Sequence, residues 1–224
     1  MFARWGKMAK GFTKMGKEIA IAVKQGGPHP ESNARLRMVM QNAKAMNMPK
    51  DRIEGAIKRA SEKSAANFEE MVYEGYGPYG VPILVECATD NPTRTVANVR
   101  KYYTRANGTL GTSGSLSFIF ERKAVFRIAA ANQSIDELEL ELIDFGLEEI
   151  EQDENELVIY VPFSEFGAMQ KGLEEKNITV LSAEKQRIPN TFVELNDEQT
   201  EEINKLIEEM EEDDDVQAVY CNLK

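Results

Sequence analysis

Apolar residues recur at helical spacing through the first sixty positions and in short β-like runs after them. At 100° per residue, Lys7–Lys24 places Met8, Phe12, Met15, Ile19 and Val23 on one face. Lys7, Lys10, Lys14, Lys17 and Lys24 fall on the opposite face, an outward-pointing comb of ammonium groups. Gly6, Gly11 and Gly16 interrupt this helix, each costing roughly 1 kcal/mol relative to alanine. Residues 1–20 are therefore expected to be mobile or loosely docked in the free protein. A second helix starts at Ser32 or Asn33 and reaches Met46, with Leu36, Val39, Met40, Ala43 and Met46 on the apolar face and Arg37, Gln41 and Lys44 on another face. Pro49 suits the first turn of a third helix, where Ile53, Ala56, Ile57 and Ala60 face inward and Arg52, Lys58 and Arg59 do not.

The pattern then changes. Residues 61–70 read as a linker, and Val81–Cys87 as a strongly apolar strand. Asn91 and Pro92 suit the cap and first position of a helix that Gly108 would stop. Leu116–Phe120 reads as another strand. From Ala124 to Arg187 the order is β-α-β-β-α-β, the ferredoxin-like arrangement, with Ser134 and Glu137 as a capping box for its first helix. A short strand near Phe192–Leu195, a helix capped at Asn196 and a strand at Val216–Cys221 complete the chain. The expected fold is α+β in three domains. Residues 1–70 form a basic helical domain with its linker. Residues 71–122 plus 190–224 form a discontinuous α+β domain, and residues 123–189 an inserted ferredoxin-like domain.

Charge sharpens this division. Residues 1–60 carry 13 basic side chains against 4 acids, net +9, which leaves −20 for residues 61–224 of a chain with net charge −11. A basic module kept apart in an acidic protein suits a polyanionic partner. The helix after Pro92 repeats the design, with Arg94, Asn98, Lys101 and Arg105 forming a second polar strip. The candidate phosphate contacts are Lys7, Lys10, Lys14, Lys17, Lys24, Arg37, Lys44, Lys50, Arg52, Lys58, Arg59, Arg94, Asn98, Lys101 and Arg105. A solvated face on an ordinary amphipathic helix is the competing reading. The acidic run Glu208–Asp215 reads as a solvated helix end, with a cation site or a decoy for the basic end as alternatives.

Two glycine-rich stretches, Glu74–Gly80 and Gly108–Ser115, either make turns or bring backbone N–H groups to a phosphate. Within them Tyr76 and Tyr79 are candidates for stacking on bases, and Gly111 and Gly114 for loop contacts. The lone histidine, His29, lies between two prolines in a loop. No Walker loop, dinucleotide fingerprint or zinc spacing occurs, so neither cofactor nor metal is expected. No apolar run is long enough to span a membrane, and no secretory signal is read. Cys87 and Cys221 point to buried free thiols in a reducing cytoplasm.

Five ordered blocks resemble a known family: Met48–Arg59, Tyr73–Pro78, Thr89–Arg100, Gly111–Ser115 and Asp213–Tyr220. The chain is identified on them as YebC-like, a family of probable transcriptional regulators in bacteria and translational activators in mitochondria. The resemblance implies three domains and no catalytic residue. It implies DNA binding for some members and, for others, ribosome-linked work that relieves stalling. Members usually carry a longer basic leader with Gly-His-Ser-Lys-Trp. Here Met-Phe-Ala-Arg-Trp stands instead, so the leader's contacts are not carried over.

The expected function is a non-enzymatic, monomeric, nucleic-acid-binding regulator of gene expression that binds DNA through basic helical faces. The alternative is a ribosome-associated activator on ribosomal RNA. Two remoter readings are a phosphate-ester enzyme on the glycine-rich loops and a protein adaptor that offers residues 197–215 to a basic partner.

Overall fold

The computed structural model describes residues 2–130 and 134–224, with side chains from residue 9 onward. Three helices open the chain: α1 (Phe2–Gly26), α2 (Ala34–Ala45) and α3 (Lys50–Ser61). The Asn33 side chain caps α2 by accepting from Leu36 N at 3.0 Å. Ile19, Val23, Leu36, Val39, Ile53 and Ala56 are buried together at the centre of the three. The expectation of a loose first helix fails over the described side chains. Met15 and Ile19–Val23 are all buried, so tertiary packing overrides the glycines.

A four-stranded antiparallel sheet follows, ordered β3-β1-β2-β8, with β1 Glu69–Tyr76, β2 Pro82–Thr89, β3 Thr109–Leu110 and β8 Val216–Cys221. Helices α4 (Pro92–Arg105) and α7 (Asp197–Glu211) cover one face through Val99, Tyr103, Ile203, Leu206 and Met210. Strand β1 runs through residues that read as linker and loop. It pairs with β2 from Glu69↔Thr89 to Tyr76↔Pro82. Its Gly75 reflects close approach rather than a turn, since a Cβ there would meet Thr109 O at 2.5 Å.

The second sheet is ordered β5-β6-β4-β7, antiparallel throughout, with β4 Phe120–Ala129, β5 Glu149–Asp153, β6 Glu156–Pro162 and β7 Val180–Pro189. Helices α5 (Ile135–Leu142) and α6 (Phe166–Glu175) pack on it around Phe126, Ile128, Leu138, Leu142, Ile159, Met169 and Leu173. This is the expected ferredoxin-like order. Three local expectations are corrected. Residues 116–119 form turns that bury Leu116, not a strand. The segment near Phe192 contributes one parallel bridge, Val193↔Leu223. Ser134 sits at the cap of α5, but its side chain makes no capping bond.

Specific polar contacts join the units. Arg35 donates to both carboxylate oxygens of Glu70, at 3.1 and 2.8 Å. Asn42 pairs with the backbone of Ala183 in both directions, at 2.7 and 3.0 Å, and is buried. Glu86, buried on β2, accepts from Lys185 at 2.8 Å and Arg187 at 2.9 Å on β7.

Candidate nucleic-acid interface

Two depressions of about 810 and 720 Å³ adjoin along the described part of α1. The first lies between α1 and α3, with Phe12, Gly16, Ala20, Arg52 and Arg59 on its walls. The second lies against α4, with Arg94, Lys101, Tyr102 and Arg105 on one side and Asp90 and the acidic segment from Glu209 to Asp215 on its other walls. Both include Thr13, Lys17 and Phe68, so the basic strips of α3 and α4 border one continuous furrow. The Arg52 guanidinium lies 5.7 Å from the centre of the Phe12 ring, and Lys17 Nζ 5.2 Å from that of Phe68. Phe12 and Phe68 were not picked out as site residues. Phe12 followed the apolar stripe of α1, and Phe68 lay in the supposed linker.

The lysines of α1 do not form an outward comb. Lys17 is only 11% exposed and donates to Asp215 Oδ1 at 2.8 Å, Asp214 O at 2.7 Å and Ala88 O at 3.1 Å. Its three protons thus have three internal acceptors. Lys14 Nζ lies 3.4 Å from Gln217 O, and burial lowers its pKa. Lys10 pairs with Glu212 at 3.1 Å on the surface. Helical periodicity placed these residues on one face correctly but carried no information about what that face would meet. The side chain of Lys7 lies outside the described residues.

The partner of this face is the acidic run, of which Glu208, Glu211, Glu212 and Asp214 are exposed as expected while Asp213 and Asp215 turn inward. Asp215 is buried. Its Oδ2 accepts from Arg94 Nη2 at 2.7 Å and Nε at 3.2 Å, and lies 2.9 Å from Thr95 Oγ1. Burial alone would raise the Asp215 carboxyl, but hydrogen bonds from Lys17, Arg94 and Thr95 outweigh it and hold the group at about 2. Asp213 accepts from Asn98 at 3.1 Å and Tyr102 OH at 2.9 Å. Burial first, and then that bond to Asp213, pushes the Tyr102 phenol up to about 12. Arg105 pairs with Glu209 at 2.5 Å. The α4 strip is therefore largely met by the chain's own carboxylates.

The cations at the end of α1 and on α3, with Lys44 of α2, are more open. Lys24, Lys44, Lys50, Arg52, Lys58 and Arg59 are exposed, as is Lys101 on α4. Lys50 has a 3.6 Å contact with Glu54 one turn on, at 86% exposure, a pair worth little in water. Arg37 is committed to the loop before α2, donating to Pro30 O at 2.8 Å and Glu31 O at 3.2 Å.

In and just after the second glycine-rich loop, three backbone donors are already taken by the chain itself. Gly111 N donates to Glu74 O at 2.7 Å. The buried Glu74 carboxylate accepts from Gly114 N at 2.9 Å and Leu116 N at 2.6 Å, so an internal anion already fills this turn. Tyr76 and Tyr79 are exposed but border neither depression, and Tyr79 OH donates to Glu202 at 2.6 Å. Among the described residues, no group of three or more His, Cys, Asp or Glu could hold a metal ion. No described helix is long and apolar enough to cross a membrane.

The family model described as the TACO1/YebC protein N-terminal domain matches residues 1–63, and the TACO1/YebC second and third domain model matches residues 68–223. A probable transcriptional regulatory protein of Parabacteroides distasonis is 58% identical over 224 residues, covering 100% of this chain and 92% of the relative. One of the same description from Cytophaga hutchinsonii is 61% identical over 220 residues, covering 98% and 92%. The crystal structure of a conserved hypothetical protein from Aquifex aeolicus superposes with a TM-score of 0.80 at 38% identity, covering 96% of this chain and 90% of that one.

Proposed function

This chain belongs to the TACO1/YebC family, and on that premise we propose that it regulates gene expression by holding a phosphodiester backbone along the furrow between α3 and α4. The observation that carries the reading is the continuity of the two depressions through Thr13, Lys17 and Phe68. Arg52 and Arg59, on one wall of the furrow, and Lys101, on the other, make the first phosphate contacts, because these cations are exposed while Lys14 and Lys17 are engaged internally, and the exposed Lys50 and Lys58 of α3 add to the field from outside the furrow. Lys24 and Lys44 extend the positive field. The acidic segment from Glu209 to Asp215 competes with phosphate for the α4 half, which tempers affinity there.

The protein acts as a binder rather than an enzyme, in keeping with the regulatory names of its relatives. Against the phosphate-ester alternative, Glu74 already takes the Gly111, Gly114 and Leu116 N–H donors in and just after the second glycine-rich loop. About five phosphate contacts on duplex DNA would make log K fall with log salt at a slope near −4.5. A slope near zero would refute the electrostatic reading. The aromatic walls at Phe12, Phe68 and Tyr102 favour unpaired nucleotides, and so support ribosomal RNA as a second reading. Co-sedimentation with ribosomes at moderate salt, set against retention on promoter fragments with competitor DNA, separates the two targets.

A further inference from the structure

We propose that the outer face of α5 is a docking surface for a Lys/Arg-rich amphipathic segment of another protein. Helix α5 buries Leu138 and Leu142 in the ferredoxin-like core, yet Leu140 is 77% exposed, as is Ile143, at 63%, in the single helical turn that continues it. Three residues apart, these two side chains are neighbours on one helical edge. Large exposed aliphatics that pair in this way mark contact surfaces more often than scattered ones do. Acids surround them. Residues 134–156 contain eleven carboxylates and no Lys or Arg, and of these Glu141, Glu148, Asp153 and Glu156 are met by Lys176, Lys123 and Arg127 from elsewhere in the chain. Asp136, Glu137, Glu139 and Asp144, which flank the pair, are exposed and have no cationic partner among the described residues.

This charge selects the occupant. A nucleic acid is repelled. A two-fold contact between copies would set the same carboxylates against each other. A basic amphipathic helix fits, with its aliphatic residues seated on Leu140 and Ile143 and its cations against the surrounding acids. The other strongly acidic stretch, residues 208–215, is more committed, because four of its seven carboxylates, Glu209, Glu212, Asp213 and Asp215, have internal partners, a larger share than among the eleven of residues 134–156. The protein would then hold nucleic acid on its basic domain and a basic protein on its acidic one.

The test uses the full chain and a labelled helical peptide of about 20 residues, with leucines at i, i+3 and i+7 and lysine or arginine elsewhere. Anisotropy is read at about 0.15 M salt, where surface charge alone is well screened. Saturable binding is expected, weakened at least tenfold by L140S/I143S, and equally by serine in place of the peptide leucines. The substituted side chains face solvent, and circular dichroism checks that the variant keeps its helix content. Equal binding by parent and variant would overturn the proposal, as would no saturation up to about 1 mM peptide. So would self-association of the parent in sedimentation that the double variant abolishes, since the face would then belong to a second copy.

Discussion

Replacing Asp215 by asparagine should cut the best-connected contact between the helical domain and the first sheet. The carboxylate is held at about 2 against an ordinary value of 3.8. The difference corresponds to about 2 kcal/mol of preference for the charged form in the folded state. Asparagine also strands Lys17, only 11% exposed, with carbonyl oxygens alone. Breaking one side of such a buried pair typically costs about 3–5 kcal/mol, so a loss of about 3 kcal/mol is expected in urea titrations at neutral pH. The pH dependence has a definite sign. The folded value lies below the unfolded one, so the stabilisation is complete above about pH 4 and fades as pH falls towards 2. The parent should lose stability through that window, and the asparagine variant should lose less of it. The double variant K17M/D215N should be less destabilised than the sum of the single changes, because no lone charge remains. A single variant within about 0.5 kcal/mol of the parent, with an unchanged acid profile, would refute the reasoning.

Glu74→Gln removes the charge that binds the 111–116 turn. Charge-assisted bonds contribute about 1.5–3 kcal/mol, so faster amide exchange at Gly114 and Leu116 should accompany a loss of about 2 kcal/mol. Unchanged protection at both amides would count against an internal anion role. Asn42→Ala leaves the buried Ala183 N–H and C=O without their partner, which should cost about 2–3 kcal/mol and loosen the junction of α2 with β7. Exchange confined to α2, with β7 unaffected, would argue against that coupling.

Much of the fold was legible because local chemistry announces local structure. Asn91 before Pro92, and Asn196 with Gln199, mark helix starts whose capping bonds are present. Alternating apolar runs were enough to order the ferredoxin-like strands. Strand β1 escaped because Glu69 and Glu70 look like linker residues and Gly75 looks like a turn. Only its pairing with β2 and the approach of Thr109 explain those residues. The site was legible as a distribution of charge but not as a set of contacts. Lys17 and Asp215 stand 198 residues apart, and no periodicity relates them. The exposed basic residues of α3 were foreseen, whereas the internal role of Lys14, Lys17 and the acidic run was not.

The most direct measurement is nucleic-acid affinity as a function of salt for the parent and for K50E/R52E/K58E/R59E. All four side chains are exposed, so the folded domain should survive, whereas reversing Lys14 and Lys17 would disturb the domain contacts instead. The account predicts that the variant keeps the parent's circular dichroism and loses most of both the affinity and the salt dependence. Affinity and slope equal to the parent's would contradict it.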